Sequence, residues 1–169
     1  MAAVLPFKKE PPFRHGQAPV TGILLCNLGT PDAPTTGAVK RYLREFLSDP
    51  RVVEIPRAVW LPLLHGVILP FRSGKSAAKY ATVWTPEGSP LKVYTERQAT
   101  MLQGYLGERG HRVSVRYAMR YGNPSIASQL DALKADGATR ILVLSAYPQY
   151  SATTTASVIW KPRHRKLSS

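Results

Sequence analysis

The sequence predicts an α/β fold in which an open parallel sheet is flanked by helices. Three segments have the length and composition of β-strands, and amphipathic helical segments separate them along the chain. Two of these strands are continuous apolar runs, which is typical of strands buried on both faces of a parallel sheet. Strands that alternate with helices form parallel βαβ units with right-handed crossovers, so the carboxyl ends of the strands should meet at one edge.

The chain begins its predicted fold with the strand Thr21–Asn27, which a turn rich in Gly, Pro and Asp follows. Thr35 or Thr36 then caps a helix over Val39–Leu47, where apolar residues recur at i, i+3, i+4, i+7 and i+8. Basic residues take the opposite face, so this helix should lie with one side on the sheet.

The middle of the chain is predicted to be helical with interruptions. A second helix begins near Arg57, and Pro62 and Gly66 should kink or split it. A short helical turn at Ser76–Tyr80 precedes a loop, and a long helix follows at Leu91–Glu108.

The remaining elements complete the βαβ pattern. The second strand is predicted at His111–Ala118 from its alternation, and the third, at Arg140–Ala146, is a continuous apolar run like the first. A helix at Ile126–Ala135 lies between them. In an open α/β sheet ligands bind at the carboxyl ends of the strands. The candidate site is therefore formed by 27–32, 118–123 and 147–155.

Composition divides the 169 residues into one domain and two ends. Lys and Arg number 23 against 10 acids, a net charge of +13, which is also a feature of nucleic-acid binders. Part of that excess lies in a predicted disordered arm at 1–19 and a basic tail at 159–169, leaving 20–158 as the α/β domain. We expect no nucleic-acid partner. Binding that did depend on phosphate contacts should collapse with salt and with deletion of both ends.

Several classes of site are absent from the sequence. Cys26 is the only cysteine, so the chain forms no internal disulfide and no thiolate metal cage, and a reducing cytoplasm suits it. No Gly-rich dinucleotide or P-loop motif, no metal-binding histidine pair and no nucleophile elbow occurs. The longest apolar run, 58–71, is broken by prolines and is too short to cross a membrane, so at most it gives peripheral contact with a bilayer.

The three predicted strand ends carry aromatic, apolar, hydroxyl and arginine side chains. Such a set suits a flat, mostly apolar ligand with acid groups. Four strings in these regions, TGILLCNLGTPDAPTTGAVKRYLREFLSDPRVVEIP, WTPEGSPLKVYTERQ, VRYAMRYGNPSI and ILVLSAYPQYSATTTASV, resemble the N-terminal half of bacterial ferrochelatases in order and spacing. The resemblance spans about Thr21 to Val158.

This resemblance implies a chelatase-like fold, of which the chain would be one of two similar domains. It implies a lyase that catalyses the last step of heme biosynthesis in the cytoplasm, the insertion of Fe2+ into protoporphyrin IX, with no cofactor. Whether protoporphyrin or coproporphyrin is the substrate stays open, as does the oligomeric state. The porphyrin-binding and active-site positions of the family fall here on Leu28, Arg72, Tyr80, Ser89, Arg120, Tyr121 and Tyr147.

Each of these residues also has a purely structural interpretation. Leu28 and Tyr80 could pack in the core, Arg72 could be solvated, and Ser89 could serve a turn between Gly88 and Pro90. Arg120 after an apolar strand is harder to explain in this way, because a basic residue at a cleft usually has an anionic partner.

The chain also departs from the family. The family's catalytic His and acidic residue lie beyond Ser169, and Ala152 stands where some members carry an iron–sulfur cysteine, so we expect neither a metal site nor a cluster. Pro162 interrupts the helix expected after Val158. Two hypotheses follow: the N-terminal half of a ferrochelatase, inactive alone, or a catalytically incomplete fragment that binds porphyrin.

Overall fold

A three-stranded parallel sheet forms the centre of the fold. The computed structural model describes residues 15, 16 and 18–160. The strands β1 (Val20–Gly29), β2 (Val113–Tyr121) and β3 (Ala138–Ser145) lie in the order β2-β1-β3, with β1 in the middle. Both pairings are parallel. The predicted open parallel sheet with flanking helices is confirmed.

The first helix, α1 (Thr36–Leu47), is close to its predicted range. Of the two candidate caps, Thr35 is the one used, and its hydroxyl accepts a hydrogen bond from the backbone N–H of Ala38 at 3.4 Å. The apolar face of α1 is buried, and Val39 is fully inaccessible to solvent. This face packs mainly against the helical segment 64–80 and meets the sheet only near Leu28 and Tyr121, so the expectation that the helix lies on the sheet holds only at the strand ends.

The segment after α1 is more helical than predicted. It consists of α2 (Arg57–Leu63), a π-helical turn at Leu64–Ile68 and α3 (Leu69–Val83). The predicted break near Pro62 and Gly66 is thus a π-helical turn, which disturbs the hydrogen-bond ladder without ending the helical segment. The prediction of only a short turn at Ser76–Tyr80 is wrong. Pro70 and Gly74, both poor helix formers, lie in the first half of α3, where no helix was predicted.

The second half of the chain contains α4 (Pro90–Glu108), α5 (Ile126–Ala135) and a short α6 (Ser157–Trp160), which follows a π-helical turn at Ala152–Ala156. Strand β2 ends three residues later than predicted, so Arg120 and Tyr121 belong to the strand itself. Helix α6 extends two residues into the predicted tail. Residues 1–14, 17 and 161–169, which hold most of the predicted arm and tail, lie outside the described residues.

Two apolar clusters cover the sheet. One includes Val39, Leu64, Leu69 and Tyr121, and the other includes Leu24, Cys26, Ala118, Ile126, Leu133 and Val158. The expectation that the third strand is buried like the first is wrong for this chain. Leu142, Val143 and Leu144 of β3 are 50%, 41% and 36% exposed. Both β2 and β3 are edge strands, but α4 and α5 pack mainly against β2 and leave much of β3 uncovered.

Burial of Cys26 predicts a loss of stability at alkaline pH. Desolvation raises the pKa of this thiol to about 12, so the unfolded chain releases the proton first, at about pH 9. The stabilising contribution is complete below pH 9 and is lost as pH rises toward 12. We expect the free energy of unfolding, measured with urea, to fall between pH 9 and 10 by about 1 kcal/mol more than in Cys26→Ala. If the unfolding free energies of the wild type and Cys26→Ala changed by the same amount between pH 9 and 10, this prediction would be wrong.

None of the helices in the described part of the chain combines the length and the apolarity needed to cross a membrane.

Candidate functional site

The carboxyl ends of β1 and β2 are held in close contact and border a cavity. Gly29 and Gly122 have φ angles of +111° and +85°, and a Cβ on Gly29 would lie 1.8 Å from the carbonyl oxygen of Tyr121. The cavity, of about 880 Å³, lies between this edge of the sheet, α1 and α2. Five arginines line it: Arg41, Arg44, Arg51, Arg57 and Arg120. Three acids, Asp32, Glu45 and Asp49, also line it, so the lining has a net positive charge, which favours an anionic ligand.

A buried ion pair forms part of the cavity wall. The guanidinium of Arg120 pairs with the carboxylate of Asp49, and the two side chains are only 8% and 9% exposed. The Tyr121 hydroxyl donates to the same Asp49 oxygen at 3.0 Å, and Arg120 Nε donates to Ser157 Oγ at 3.1 Å. The anionic partner expected for Arg120 is therefore present within the chain. Sequence reasoning missed Asp49, whose Ser48-Asp49-Pro50 context indicates only a turn.

Four tyrosines lie near this pair. The pKa of the Tyr42 phenol is raised, first by burial and then by the neighbouring Tyr80, with smaller effects from Tyr147 and Tyr121. Burial also raises the pKa of Tyr121, although the Arg120 charge opposes the shift. The phenols therefore stay neutral at physiological pH, and they present hydroxyl groups and ring faces rather than charges.

Tyr147 differs from the other three tyrosines. Its hydroxyl is buried and has no hydrogen-bond partner among the described residues. Desolvation raises its pKa to about 12, against the lowering effect of Arg120. Buried hydroxyls are nearly always hydrogen-bonded, so this group is available to a ligand or to another part of the protein.

The other predicted site residues lie outside the lining of the cavity. Ser89 is buried and accepts a hydrogen bond from the Thr30 hydroxyl at 2.8 Å, which ties the start of α4 to the end of β1. Leu28 and Tyr80 are half-buried against the α1 and α3 cluster. Arg72 is exposed on α3. Thus Arg120 and Tyr121 line the cavity, while Arg72 lies away from it.

A pair of tyrosine variants distinguishes an orphaned hydroxyl from a bonded one. Tyr147→Phe removes a hydroxyl that the folded chain leaves unpaired, so we expect unfolding free energy unchanged or raised by up to about 1 kcal/mol. Tyr121→Phe removes a donor to the Asp49 carboxylate and should cost about 1–3 kcal/mol. Urea unfolding monitored by circular dichroism measures both. A larger loss in Tyr147→Phe than in Tyr121→Phe would show that the Tyr147 hydroxyl has a partner.

The chain is similar in sequence to known proteins along most of its length. Residues 20–166 match the family model described as ferrochelatase. The chain is 68% identical over 170 residues to a ferrochelatase of Polaromonas sp., covering 95% of this chain and 46% of the relative. It is 69% identical to that of Methylibium petroleiphilum (94% and 45% covered) and 56% identical to that of Chromobacterium violaceum (89% and 42%). The chain spans less than half the length of these relatives.

Proposed function

The chain belongs to the ferrochelatase family, and from that premise we propose that it supplies the porphyrin-binding N-terminal part of an enzyme that inserts Fe2+ into protoporphyrin IX to give heme. The observation that carries the proposal is the wall formed by Arg120, Tyr121 and Asp49 at the carboxyl ends of the parallel strands. An open α/β sheet binds its ligands at that edge.

The chemistry of metal insertion explains why such a wall is useful. The four nitrogens of a porphyrin lie in the ring plane, and two N–H protons must leave before iron can enter. Distortion of the ring costs about 1–5 kcal/mol, which comes from binding the rest of the substrate. Aromatic side chains and Leu28 offer contact to the ring faces. The other cavity arginines, Arg41, Arg44, Arg51 and Arg57, offer charge to the propionates, since the charge of Arg120 is balanced by Asp49. The exposed Arg72 lies outside this cavity and would meet only a propionate that extends beyond it.

Tyr147 enters the proposal through its orphaned hydroxyl, which is buried outside the lining of the cavity. A ligand that displaced the side chains over this group would satisfy a hydroxyl that the described residues leave unpaired. A porphyrin bears suitable polar atoms at its propionates and at its central nitrogens.

The proposal assigns no proton acceptor to this chain. By resemblance to the family, the catalytic His and an acidic residue come from the length of the relatives that the chain does not cover. Among the described residues, no three His, Cys, Asp or Glu side chains gather where they could hold a metal ion. We assign no cofactor and no iron–sulfur cluster to this part, since Ala152 occupies the cysteine position, and we place the protein in the cytoplasm.

Absorbance titration of the purified chain with protoporphyrin, with and without Fe2+, tests this function. We expect a shift of the Soret band on binding and no appearance of heme bands when Fe2+ is added. A Soret band that does not move would refute porphyrin binding. Heme bands would show that the chain alone completes the reaction and that the assignment of the proton acceptor elsewhere is wrong.

A peripheral membrane contact is the second part of the proposal. Val59, Leu63, Val67 and Phe71 lie four residues apart along α2, the π-helical turn and α3. Their side chains are 64%, 42%, 49% and 74% exposed, respectively. The sequence from 55 to 86 contains no acid and four Lys or Arg. An apolar row flanked by cations is typical of helices that lie in the interface of an anionic bilayer.

Vesicle sedimentation tests the membrane contact. We expect the chain to pellet with phosphatidylglycerol-containing vesicles and not with phosphatidylcholine alone, and Val59→Ser with Val67→Ser to weaken pelleting. Met101→Ser is the matched control, because Met101 is 66% exposed on α4, outside this row. Equal weakening by the control would overturn the assignment of the surface.

A further inference from the structure

The turn that follows α1 joins three parts of the candidate site. Asp49 lies in this turn, and its backbone carbonyl accepts hydrogen bonds from the N–H groups of Val52 and Val53. Its Oδ1 accepts from the backbone N–H of Arg51 at 2.9 Å. The orientation of the carboxylate is therefore set by the turn itself, before any contact with the sheet.

The other carboxylate oxygen of Asp49 reaches the end of β2. Oδ2 accepts from both Arg120 and Tyr121, which are consecutive residues of the strand. Consecutive side chains of a strand ordinarily point to opposite faces. Here the Arg120 guanidinium folds over the Tyr121 ring at 4.4 Å from its centroid, so one carboxylate holds both side chains together.

The same turn also contacts the segment after β3. Arg51 donates to the backbone carbonyl of Ala156 at 3.0 Å, while Arg120 donates to the neighbouring Ser157. Asp49 and Arg51 thus connect α1, the end of β2 and the start of α6. A shift of this turn would move the cavity wall at several points.

From these contacts we infer that Asp49 is a positioning residue of the porphyrin site, which fixes Arg120 and Tyr121 in the orientation that the ligand meets. This inference rests on the proposed function for the identity of the ligand. Asp49 itself needs no contact with the porphyrin. It neutralises the Arg120 charge and selects one rotamer of each partner, which removes the entropic cost of ordering them when the ligand binds.

Variants at Asp49 test the inference, with a second Asp–Arg pair as the control. Asp136 at the end of α5 pairs with Arg116 of the same strand β2 at 2.8 Å. Both side chains are about one-third exposed and lie outside the lining of the cavity. We expect Asp49→Asn, and Asp49→Glu with its longer side chain, to weaken protoporphyrin affinity about tenfold. Asp136→Asn should leave that affinity within a factor of about two.

A combined variant separates positioning from direct contact with the ligand. If Asp49 acts through Arg120 and Tyr121, Asp49→Asn has no further effect on affinity once Arg120→Gln and Tyr121→Phe are both present. A further loss of affinity in that background would overturn the inference. Because Asp49→Asn leaves a buried cation unpaired and endangers folding, Asp49→Glu, which keeps the charge, provides the same comparison in a folded protein.

A spectroscopic readout does not depend on porphyrin. The Nη–H signals of Arg120 in 15N–1H spectra, assigned by their loss in Arg120→Lys, should be protected from exchange in the wild type and in Asp136→Asn, because this end of the guanidinium donates to Asp49 while Nε donates to Ser157. They should lose protection in Asp49→Asn and Asp49→Glu. Protection that persists in both Asp49 variants would overturn the inference. If the wild type shows the protected signals and binds no porphyrin, the proposed function fails while the positioning of Arg120 stands.

Discussion

Replacement of Gly29 by alanine should prevent the chain from folding or lower its unfolding free energy by more than about 4 kcal/mol, a size that single substitutions rarely reach. Gly29 is the last residue of β1 and pairs with Tyr121 of β2. A Cβ there would lie 1.8 Å from the Tyr121 carbonyl oxygen and 3.1 Å from its backbone nitrogen. These are backbone atoms of a paired strand, so no side-chain rotation relieves the overlap.

Backbone conformation adds to the effect at Gly29. Its φ of +111° lies in a region that L-residues with a side chain rarely adopt. The consequence extends to function, because the displaced residue is Tyr121, whose hydroxyl donates to Asp49 in the cavity wall. We therefore expect any folded fraction of Gly29→Ala to have lost porphyrin binding as well.

The matched control for this substitution is Gly104→Ala. Gly104 lies inside α4, and nothing stands within 4 Å of the position its Cβ would take. Alanine is the better helix former, so this variant should gain about 0.5–1 kcal/mol. Urea unfolding followed by circular dichroism compares the two. A loss below about 1 kcal/mol in Gly29→Ala would show that the β1–β2 edge adjusts more readily than its geometry indicates.

The order of strands and helices could be predicted from the sequence because the spacing of apolar residues is a local property of each segment. The apolar run of β1 and the capped, amphipathic α1 are examples, and both lie close to their predicted ranges. Helix α3 was predicted only at Ser76–Tyr80, because Pro70 and Gly74 in its first half are poor helix formers. Packing against α1 stabilises this half in the fold, and that contact is not visible in the local sequence.

Only part of the candidate site could be predicted from the sequence. Arg120 and Tyr121 follow an apolar strand, which is a signal that sequence reasoning can use. Asp49 lies 71 residues away from Arg120, and only the fold brings the carboxylate to the guanidinium. Ser89 shows the converse, since the hydroxyl expected to contact a ligand accepts a hydrogen bond from Thr30 inside the chain.

Burial was predicted least well at β3, for a reason that concerns function. Its apolar sequence is typical of a strand covered on both faces, yet Leu142, Val143 and Leu144 are exposed in this chain. The relatives are more than twice as long as the part that this chain matches. We therefore expect the apolar residues of β3 to be buried, in the relatives, by the part of their sequence that this chain does not match.

Under the proposed function, metal insertion should require the part of the relatives that this chain does not match. We expect no metal insertion by the chain alone, and measurable insertion when it is mixed with the portion of the Polaromonas ferrochelatase that it does not cover. In the proposed function the uncovered portion would supply the proton acceptor, and the wall of Arg120, Tyr121 and Asp49 would hold the ring. Zinc insertion, followed by the change in porphyrin fluorescence, measures the activity, and each portion alone serves as the blank.

Leu142→Asp tests whether β3 is the docking surface in that reconstitution. Leu142 is 50% exposed, so the substitution should change the stability of the chain alone by no more than about 0.5 kcal/mol. In the complex the aspartate would be buried without a partner, and both association and zinc insertion should be lost. Met101→Asp is the control, because Met101 is exposed on α4, well away from the sheet edge. Reconstitution that tolerates Leu142→Asp as well as Met101→Asp would place the contact elsewhere, because a charge cannot be buried at β3 without loss.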